Sequence, residues 1–347
     1  MIRCGIIGCG VIAPTHIEAY RGIPEVEVVH LADIVPEKAE ALGKKYAISR
    51  CSADYRRLLA DPEVDLVSVC TDHASHAEIV VDALAAGKHV VCEKPLGRVS
   101  ADLDKMIAAA DAHPELVSSG IFQHRFEAHN RTLRSLVEQG KLGRLVTFNL
   151  CACCERTDAY YNADAWRGTI AGEGGGVLIN QVIHQLDQLR FVFGEVRAVS
   201  ALTANVTHQG VIEVEDTAAF TLEFESGLFG CVTATNSSRQ LWRNYLTVVA
   251  EKVNFEYVNE VATEVVASDE ELSGTIRREL GAPVAGAAVG KSYYGGGHPA
   301  QLFDVVSAIR EKRAPFVSMR EAAGTAALVF AVYESAATGR RVEVRHF

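Results

Sequence analysis

Gly8-Cys9-Gly10-Val11-Ile12-Ala13 decides the fold, because it directly follows the apolar run Ile2–Ile7 and precedes a segment with helical character. A glycine-rich turn between a strand and a helix is the context in which the pattern G-x-G-x-x-[GA] predicts a dinucleotide site. Gly8 permits the tight turn, Gly10 lets the backbone approach a pyrophosphate, and Ala13 allows the helix to pack closely on the strand. The sequence therefore predicts that this turn binds a dinucleotide.

The rest of the predicted cofactor site lies in the turn itself and at the end of the second strand. Val11 and Ile12 precede a helix N-terminus, where free N–H groups and the positive end of the helix dipole favour phosphate. Asp33 follows the run Val26–Ala32, at the position expected of an acid that binds the ribose hydroxyls. A carboxylate there repels a 2′-phosphate, and Ile34-Val35-Pro36 contains no arginine to hold one. These features favour NAD over NADP.

The alternation of strands and helices predicts an α/β fold for the first part of the chain. Apolar strands that alternate with helices form a doubly wound parallel sheet, covered on both faces, and we assign residues 1–121 to such a domain. The predicted strands are Ile2–Ile7, Val26–Ala32, Leu66–Cys70, Val90–Cys92 and Leu116–Ser118. The predicted helices between them include Pro36–Tyr46, Ser75–Ala86 and Ala101–His113.

From residue 122 to residue 347 we predict a second, α+β domain with a large, mostly antiparallel open sheet. Apolar and polar residues alternate from Leu145 onward, and Phe220–Glu225 turns at Ser226-Gly227 into Leu228–Thr235 as a hairpin. The freer face of such a sheet is a candidate interface for a homodimer or homotetramer. Helices are predicted at Phe126–Gln139, Pro299–Lys312 and Glu321–Thr338, and a long loop with some helix at Ala267–Gly297.

The composition excludes several classes of protein. The net charge of −10, without a basic block, argues against a nucleic-acid partner and against an anionic membrane surface. No apolar run is long enough to span a membrane. Nine cysteines at irregular spacings fit free thiols in a reducing cytoplasm. Cys151-Ala152-Cys153-Cys154 matches C-x-x-C, but no second pair with zinc spacing follows, so we predict no metal site there.

Two predicted strands of the first domain end in polar residues, at the edge where open α/β sheets bind ligands. Thr71 and His76 follow one strand and are candidates for cofactor contact, although Ser75 as a helix cap beside solvated histidines explains the same residues. Glu93-Lys94-Pro95 follows the next strand. Lys94 is suited to stabilise an alkoxide that forms as hydride leaves, with Glu93 holding the ammonium. A surface ion pair at a turn is the alternative.

The segment Gly174–Asp187 combines three glycines with a polar helical stripe. Asn180, His184 and Asp187 share one side of a regular helix, opposite a set of apolar residues. The plain interpretation is an amphipathic helix with a wet face. Consecutive glycines weaken a helix start, however, and so suggest close approach of the backbone to a ligand. If the polar stripe faces a cleft, His184 is the natural acid/base group.

Two further clusters carry weaker signals. His298, Gln301 and Asp304 share a helical stripe after three glycines, which is most simply a polar helix face. An aromatic and basic cluster just before the triple glycine is a candidate sugar site, with interface or core packing equally consistent with it; its members are Tyr160, Tyr161, Trp166 and Arg167.

These motifs together resemble the glucose-fructose oxidoreductase / inositol dehydrogenase / MocA-like family over nearly the whole chain. The glycine turn is generic, whereas Glu93-Lys94-Pro95 is specific at its position and Gly174–Asp187 is strongly characteristic. The segment His298–Asp304 is also similar to the family.

The resemblance implies a Rossmann domain followed by a domain with an open, mainly antiparallel sheet. It also implies that Lys94 and His184 flank the substrate carbon facing the nicotinamide, and that the Lys94–Pro95 bond is cis. Gln123 and Trp166-Arg167 would lie near the cofactor. Asn180 departs from inositol dehydrogenase-like members, which carry an aspartate there, and is more similar to UDP-sugar 3-dehydrogenases. An amide cannot take a proton, so Asn180 would orient a hydroxyl or His184.

The sequence thus predicts an NAD-dependent dehydrogenase acting on a hydroxyl of a sugar, sugar derivative or cyclitol. His184 would remove the hydroxyl proton, Lys94 would stabilise the oxygen, and Asn180 would fix orientation. Two alternatives stay open: a lyase or glycosidase that recycles bound NAD, and a non-catalytic NAD sensor.

Overall fold

The computed structural model describes residues 1–259, 261–281 and 296–347. These residues form two compact units. The first unit contains Met1–Gln123, the described part of 287–324, and Phe347. The second contains the described part of 124–286 and Thr325–His346. The chain therefore leaves the first unit after Gln123 and returns to it later.

The first unit is built on a six-stranded sheet in the order β3-β2-β1-β4-β5-β6, and every adjacent pair is parallel. This confirms the predicted doubly wound fold. Its elements in chain order are β1 Ile2–Ile7, α1 Ala13–Arg21, β2 Val26–Ala32, α2 Pro36–Tyr46, β3 Arg50–Ser52, α3 Tyr55–Leu59, β4 Leu66–Val69, α4 His76–Ala85, β5 His89–Cys92, α5 Ser100–Ala112 and β6 Ser118–Gly120.

Helix α10, Gly297–Glu311, completes the core of the first unit from far along the chain. Its residues Leu302, Val305 and Val306 belong to the same buried cluster as Ile6 of β1 and Ile17 of α1. Burying such side chains stabilises the unit by roughly 1.5–3 kcal/mol each. The sequence assignment of residues 1–121 to the cofactor domain did not include this helix.

The second unit is built on an eight-stranded sheet in the order β13-β12-β11-β7-β10-β9-β8-β14. All adjacent pairs are antiparallel except β7 with β10, which confirms the predicted mostly antiparallel sheet. The strands are β7 Leu145–Glu155, β8 Val196–Ala204, β9 Thr217–Phe224, β10 Phe229–Thr235, β11 Ser237–Ala250, β12 Val253–Val258, β13 Val261–Ala267 and β14 Val342–Glu343. The helices are α6 Ala128–Glu138, α7 Asp158–Tyr161, α8 Ile183–Phe193 and α9 Glu270–Leu280.

One face of this second sheet is buried and the other is exposed, as the alternating sequence requires. On the buried face, the Phe148 ring lies 5.8 Å from that of Phe193 on α8 and 5.7 Å from that of Phe224. On β8 and β10, by contrast, Leu202 is 74% exposed and Phe229 is 59% exposed. The open face is therefore partly apolar.

The predicted hairpin of β9 and β10 is confirmed, since the two strands pair antiparallel across a turn in which Gly227 has a φ of +84°. The long loop expected at Ala267–Gly297 includes helix α9 in its first half, and residues 282–295 lie outside the described residues.

The last helix, α11, spans Met319–Thr338 and starts in the first unit and ends in the second. Among the described residues, no helix combines the length and the apolar character needed to cross a membrane.

Candidate active site

The glycine turn has the backbone geometry that a dinucleotide site needs. Gly8 has a φ of +91°, and a Cβ there would lie 2.6 Å from the carbonyl carbon and oxygen of Cys70. Only glycine fits that position. A Cβ on Gly10 would meet no atom within 4 Å, so space lies open beside the turn. Helix α1 begins at Ala13, which is fully buried as the predicted close packing requires.

Asp33 is fixed directly beside this turn. Its Oδ2 accepts a hydrogen bond from the Cys9 backbone N–H at 2.7 Å, and its Oδ1 accepts one from the Val35 N–H at 2.8 Å. The carboxylate stays half-buried, and the next side chain, Ile34, is 85% exposed. Val11, at the tip of the turn, is also 62% exposed. The Asp33 carboxylate, which is predicted to bind the ribose hydroxyls, is therefore held in place by the same turn that is predicted to bind the phosphates.

Thr71 and His76 lie after β4, the neighbour of β1 in the sheet. Thr71 is half-buried, whereas His76 is fully buried. The His76 Nδ1 lies 2.7 Å from the Pro95 carbonyl oxygen and its Nε2 lies 3.2 Å from that of Thr71. Both partners are carbonyl oxygens that only accept, and the shorter distance favours the tautomer in which Nδ1–H donates to Pro95. Burial lowers the pKa of the ring. His76 thus joins the turn after β4 to the turn after β5.

The Glu93-Lys94-Pro95 turn follows β5, and its Lys94–Pro95 bond is cis, as the resemblance implied. Lys94 is half-buried and Glu93 is 7% exposed. Glu93 Oε2 accepts a hydrogen bond from the backbone N–H of Lys94 at 3.2 Å. Its Oε1 lies 2.9 Å from His16 Nε2 and 3.6 Å from His298 Nε2. Burial alone would raise the pKa of Glu93, but these two imidazoles hold it well below its usual range.

The absence of side chains at Gly174-Gly175-Gly176 allows other residues of the second unit to pack closely against this backbone. A Cβ on Gly175 would lie 2.1 Å from the Tyr333 hydroxyl, and one on Gly176 would lie 1.8 Å from the Glu215 carbonyl oxygen. Gly174 has a φ of +83°. The glycines were expected to admit a ligand, yet these distances show that the chain's own residues approach them. Neither Tyr333 nor Glu215 was singled out from the sequence, because both are distant along the chain.

The helix after these glycines does not have the regular geometry that the sequence interpretation assumed. It begins with a π-helical turn at Leu178–Val182, and α8 follows from Ile183. The wider π turn changes which residues share a side. Asn180 and His184 are half-buried, but Asp187 is only 1% exposed. Asp187 is therefore not part of a wet helix face, as the plain interpretation of the stripe required.

Asp187 instead forms a buried ion pair. Its carboxylate accepts hydrogen bonds from Arg125 Nε at 2.7 Å and Nη2 at 2.6 Å, and from the Thr325 hydroxyl at 2.7 Å. Arg190 Nη1 in turn donates to Thr325 at 3.1 Å. Bidentate pairing of this kind satisfies a carboxylate inside a protein. The ion pair therefore fixes the position of α8, the helix that carries His184.

His184 and Asn180 each have a defined polar environment within the second unit. The His184 ring packs edge-to-face on His124 with centroids 5.2 Å apart, and His124 Nδ1 lies 2.9 Å from Glu127 Oε2. Asn180 Nδ2 donates to the Tyr160 hydroxyl at 3.3 Å and to Glu173. The amide thus orients neighbours, consistent with its inability to take a proton.

The aromatic and basic cluster that the sequence places just before the triple glycine is assembled in the structure and lies beside Asn180. The Arg167 guanidinium lies 4.4 Å from the Tyr160 ring centre and 4.6 Å from that of Trp166, and it donates to Asp164 at 2.9 Å. Arg156 lies 5.0 Å from the same Tyr160 ring. Cations over aromatic faces hold such side chains in place. Tyr160 therefore links the two arginines to Asn180.

Two family models match this chain. The model for the oxidoreductase family with an NAD-binding Rossmann fold matches residues 2–121, and the model for the GFO/IDH/MocA C-terminal domain matches residues 130–256. The oxidoreductase YrbE of Bacillus subtilis is 31% identical over 247 residues, which are 70% of this chain and 69% of that protein.

The chain belongs to the GFO/IDH/MocA oxidoreductase family.

Other members of the GFO/IDH/MocA family agree with this assignment. Myo-inositol 2-dehydrogenase of Thermotoga maritima is 28% identical over 273 residues, covering 78% of this chain and 79% of its own. The crystal structure of the WlbA dehydrogenase from Bordetella pertussis, in complex with NADH and UDP-GlcNAcA, is 27% identical with a TM-score of 0.88. The match covers 100% of this chain and 98% of that one. The predicted family and fold are therefore confirmed, and the first unit is an NAD-binding Rossmann domain.

The structure also places Gln123, which was named from the sequence, and His16, which was not. Gln123, predicted near the cofactor, is 2% exposed, and a Cβ on Gly297 would lie 1.9 Å from its carbonyl oxygen. His16 was missed altogether. No motif in the sequence marks it, and its importance follows only from its burial within α1, where a histidine needs a polar partner.

Proposed function

We propose that this protein is an NAD-dependent dehydrogenase that transfers a hydride between NAD and a hydroxyl-bearing carbon of a sugar, sugar derivative or cyclitol. The observation that carries the proposal is the order of the first sheet, in which β1, β4 and β5 are neighbours. Their carboxyl ends bring the glycine turn, Thr71 and Lys94 to one edge of the sheet. Ligands of open parallel sheets bind at that edge.

The residues present fit a dinucleotide. Gly8 allows the tight turn, Gly10 leaves open space beside it, and Asp33 presents a fixed carboxylate for the ribose hydroxyls. Because Asp33 repels an added phosphate and exposed Ile34 follows it, we propose that NAD is preferred over NADP. NAD bound at this turn would supply the acceptor for the hydride of the carbinol carbon.

The protein's own groups handle the proton and the charge. In the oxidative direction, His184 accepts the hydroxyl proton while the carbon–hydrogen bond breaks, so that a carbonyl is left. The Lys94 ammonium stabilises the oxygen as negative charge develops on it. Asn180 orients the hydroxyl or His184, held by Tyr160 and Glu173. Gln123, Trp166 and Arg167 complete the proposed surroundings of the cofactor.

For the substrate, we favour a sugar derivative over inositol. Asn180 replaces the aspartate of inositol dehydrogenase-like members, and the WlbA structure that resembles this chain over its whole length holds a UDP-sugar acid. Arg156 and Arg167, stacked on Tyr160, provide positive charge close to Asn180. Such charge suits a substrate with an anionic group.

We further propose a cytoplasmic homodimer or homotetramer joined through the open face of the second sheet. Leu202 and Phe229 on that face are exposed, and burial of apolar surface favours association. Each of the nine cysteines, all within the described residues, is a free thiol, which suits a reducing compartment.

The test is turnover of purified protein with NAD and a panel of sugars, UDP-sugars and cyclitols, followed by NADH absorbance. Lys94→Ala should lower kcat about 1,000-fold, because it removes the charge that stabilises the oxygen. NADH binding, measured by fluorescence, should change little. Unchanged turnover in Lys94→Ala would refute the assignment. Product formation without net NADH would instead indicate internal recycling of NAD, and NAD binding without any turnover would indicate a sensor.

A further inference from the structure

Three ionisable side chains meet in the interior of the first unit and are not needed for the hydride-transfer scheme above. His16 is on α1, Glu93 follows β5, and His298 is in the first turn of α10. Their exposed fractions are 0%, 7% and 2%, and one ligand atom from each lies within 4.8 Å of the others. Burying a carboxylate without polar partners costs free energy, so the two histidines stabilise Glu93 in the interior.

The His16 side of this cluster is fixed by a chain of hydrogen bonds. His16 Nδ1 lies 3.1 Å from the Ser68 hydroxyl, which lies 2.8 Å from the Tyr20 hydroxyl. One consistent arrangement satisfies every group: Tyr20 donates to Ser68, Ser68 donates to Nδ1, and Nε2–H donates to Glu93. His16 therefore has one rotamer in which both ring nitrogens are used.

The His298 side is fixed by the docking of α10. One turn after His298, the Gln301 amide accepts from the Phe122 N–H at 3.0 Å and donates to the Gly120 carbonyl at 2.8 Å. The Gly297 backbone packs against the Gln123 carbonyl so closely that no Cβ would fit. The helix position that presents His298 to Glu93 is thus set by contacts on both sides of it.

The second carboxylate oxygen of Glu93 contacts the backbone of Lys94. With Oε1 of Glu93 facing the two imidazoles, Oε2 accepts the backbone N–H of Lys94 at 3.2 Å. The carboxylate therefore couples two buried histidines to the main chain of the residue that carries the proposed ammonium.

We propose that His16 and His298 are positioning residues, which hold Glu93 so that its carboxylate fixes the Lys94 backbone for hydride transfer. The proposal rests on the proposed function only for its catalytic consequence. The 2.9 Å between His16 and Glu93 is a hydrogen-bond distance, and a metal ion held by the same three residues is the competing interpretation that the experiment below tests.

The first experiment follows hydrogen–deuterium exchange at the Lys94 amide in the intact protein, localised by fragmentation of the peptide that spans β5 and the turn. His16→Ala and His298→Ala should each speed exchange of that amide at least about 10-fold, because its acceptor is no longer held. His298→Gln keeps a donor near Glu93 and should restore most of the protection.

The matched control is Ser119→Ala, which removes another buried hydrogen bond of the first unit, from the Ser119 hydroxyl to the Val317 carbonyl at 2.6 Å. It should lower thermal stability without changing Lys94 exchange. Unchanged exchange in both histidine variants would overturn the proposal, as would a stoichiometric metal ion in the purified protein, which would mark the cluster as a coordination site.

The second experiment measures turnover with the substrate that the panel identifies. Both alanine variants should lower kcat roughly 10- to 100-fold while the KM for NAD and NADH binding stay near those of the unaltered protein, since only the alignment of Lys94 is lost. His298→Gln should recover kcat. If no substrate is turned over, the dehydrogenase proposal fails while the exchange measurement still decides the positioning role.

Discussion

The Glu93–Pro95 turn and the Gly174–Asp187 segment carry the two proposed reactive side chains, but they obtain their geometry in different ways. The turn follows a parallel strand, so its position is set by the sheet, and the Glu93 carboxylate is held by two imidazoles. The helical segment begins with a π turn, and its acidic residue is neutralised by Arg125. An acidic residue near a reactive group is thus a backbone anchor in one region and a helix anchor in the other.

The largest expected effect comes from breaking the helix anchor. Asp187→Asn should lower the free energy of unfolding by about 3–5 kcal/mol, because it leaves the Arg125 guanidinium buried without its countercharge. Urea denaturation measures this change. The control is Glu223→Gln, which weakens an exposed ion pair with Arg341 and should cost less than about 1 kcal/mol. A stable Asp187→Asn protein with reduced kcat would show instead that Asp187 belongs to the reactive face.

A smaller effect separates the two glycine segments. Gly176→Ala should destabilise the fold by about 2–4 kcal/mol, because the added Cβ would collide with the Glu215 carbonyl oxygen. Gly10→Ala should leave stability within about 0.5 kcal/mol, since its Cβ enters open space, but should weaken NADH binding. Thermal unfolding and NADH fluorescence distinguish the two outcomes. Equal NADH affinity in Gly10→Ala would mean that the turn does not face the cofactor.

The smallest effect is a pH dependence at the start of the helical segment. Glu215 accepts hydrogen bonds from the Gly176 and Leu178 N–H groups and from Tyr333, yet burial raises its pKa to about 7. A carboxyl whose pKa is higher in the folded state contributes stability below its ordinary pKa, and that contribution is lost as the pH rises through about 7.

The unaltered protein should therefore lose about 1 kcal/mol or more of unfolding free energy between pH 5 and pH 8, relative to Glu215→Gln. The glutamine is the right reference because, like the protonated acid, it is uncharged and it does not titrate in this range. Urea midpoints at both pH values give the comparison. Parallel pH profiles would place the pKa of Glu215 near that of an ordinary carboxyl group.

The sequence predicted the first sheet well because a parallel strand buried on both faces must be apolar throughout. The strands β1 and β2 have the bounds that the apolar runs indicated, whereas the three-residue β3 has too short a pattern to be recognised. The spacing of Leu302, Val305 and Val306 showed an amphipathic helix. The same spacing does not show which unit the helix joins, because membership of a unit depends on contacts between residues far apart in the chain.

The candidate site was predicted to a similar extent. We could locate the glycine turn, Asp33 and Lys94 from the sequence because each of them closely follows the end of a predicted strand. The polar stripe was partly wrong, because a π turn changes side-chain phase without leaving a mark on hydrophobic periodicity. The pairing of His16 with Glu93 was invisible, since it joins residues in separate elements and neither follows a motif that names its partner.

Because α10 supplies part of the first unit's core, the order of synthesis matters for how this protein matures. Domains generally form as the chain leaves the ribosome, N-terminal first. Here the cluster that Ile6 and Ile17 begin is not closed until Leu302 and Val305 have emerged. The apolar surface that α10 covers therefore stays exposed on the nascent NAD-binding unit while all strands of the second sheet except the last are being translated.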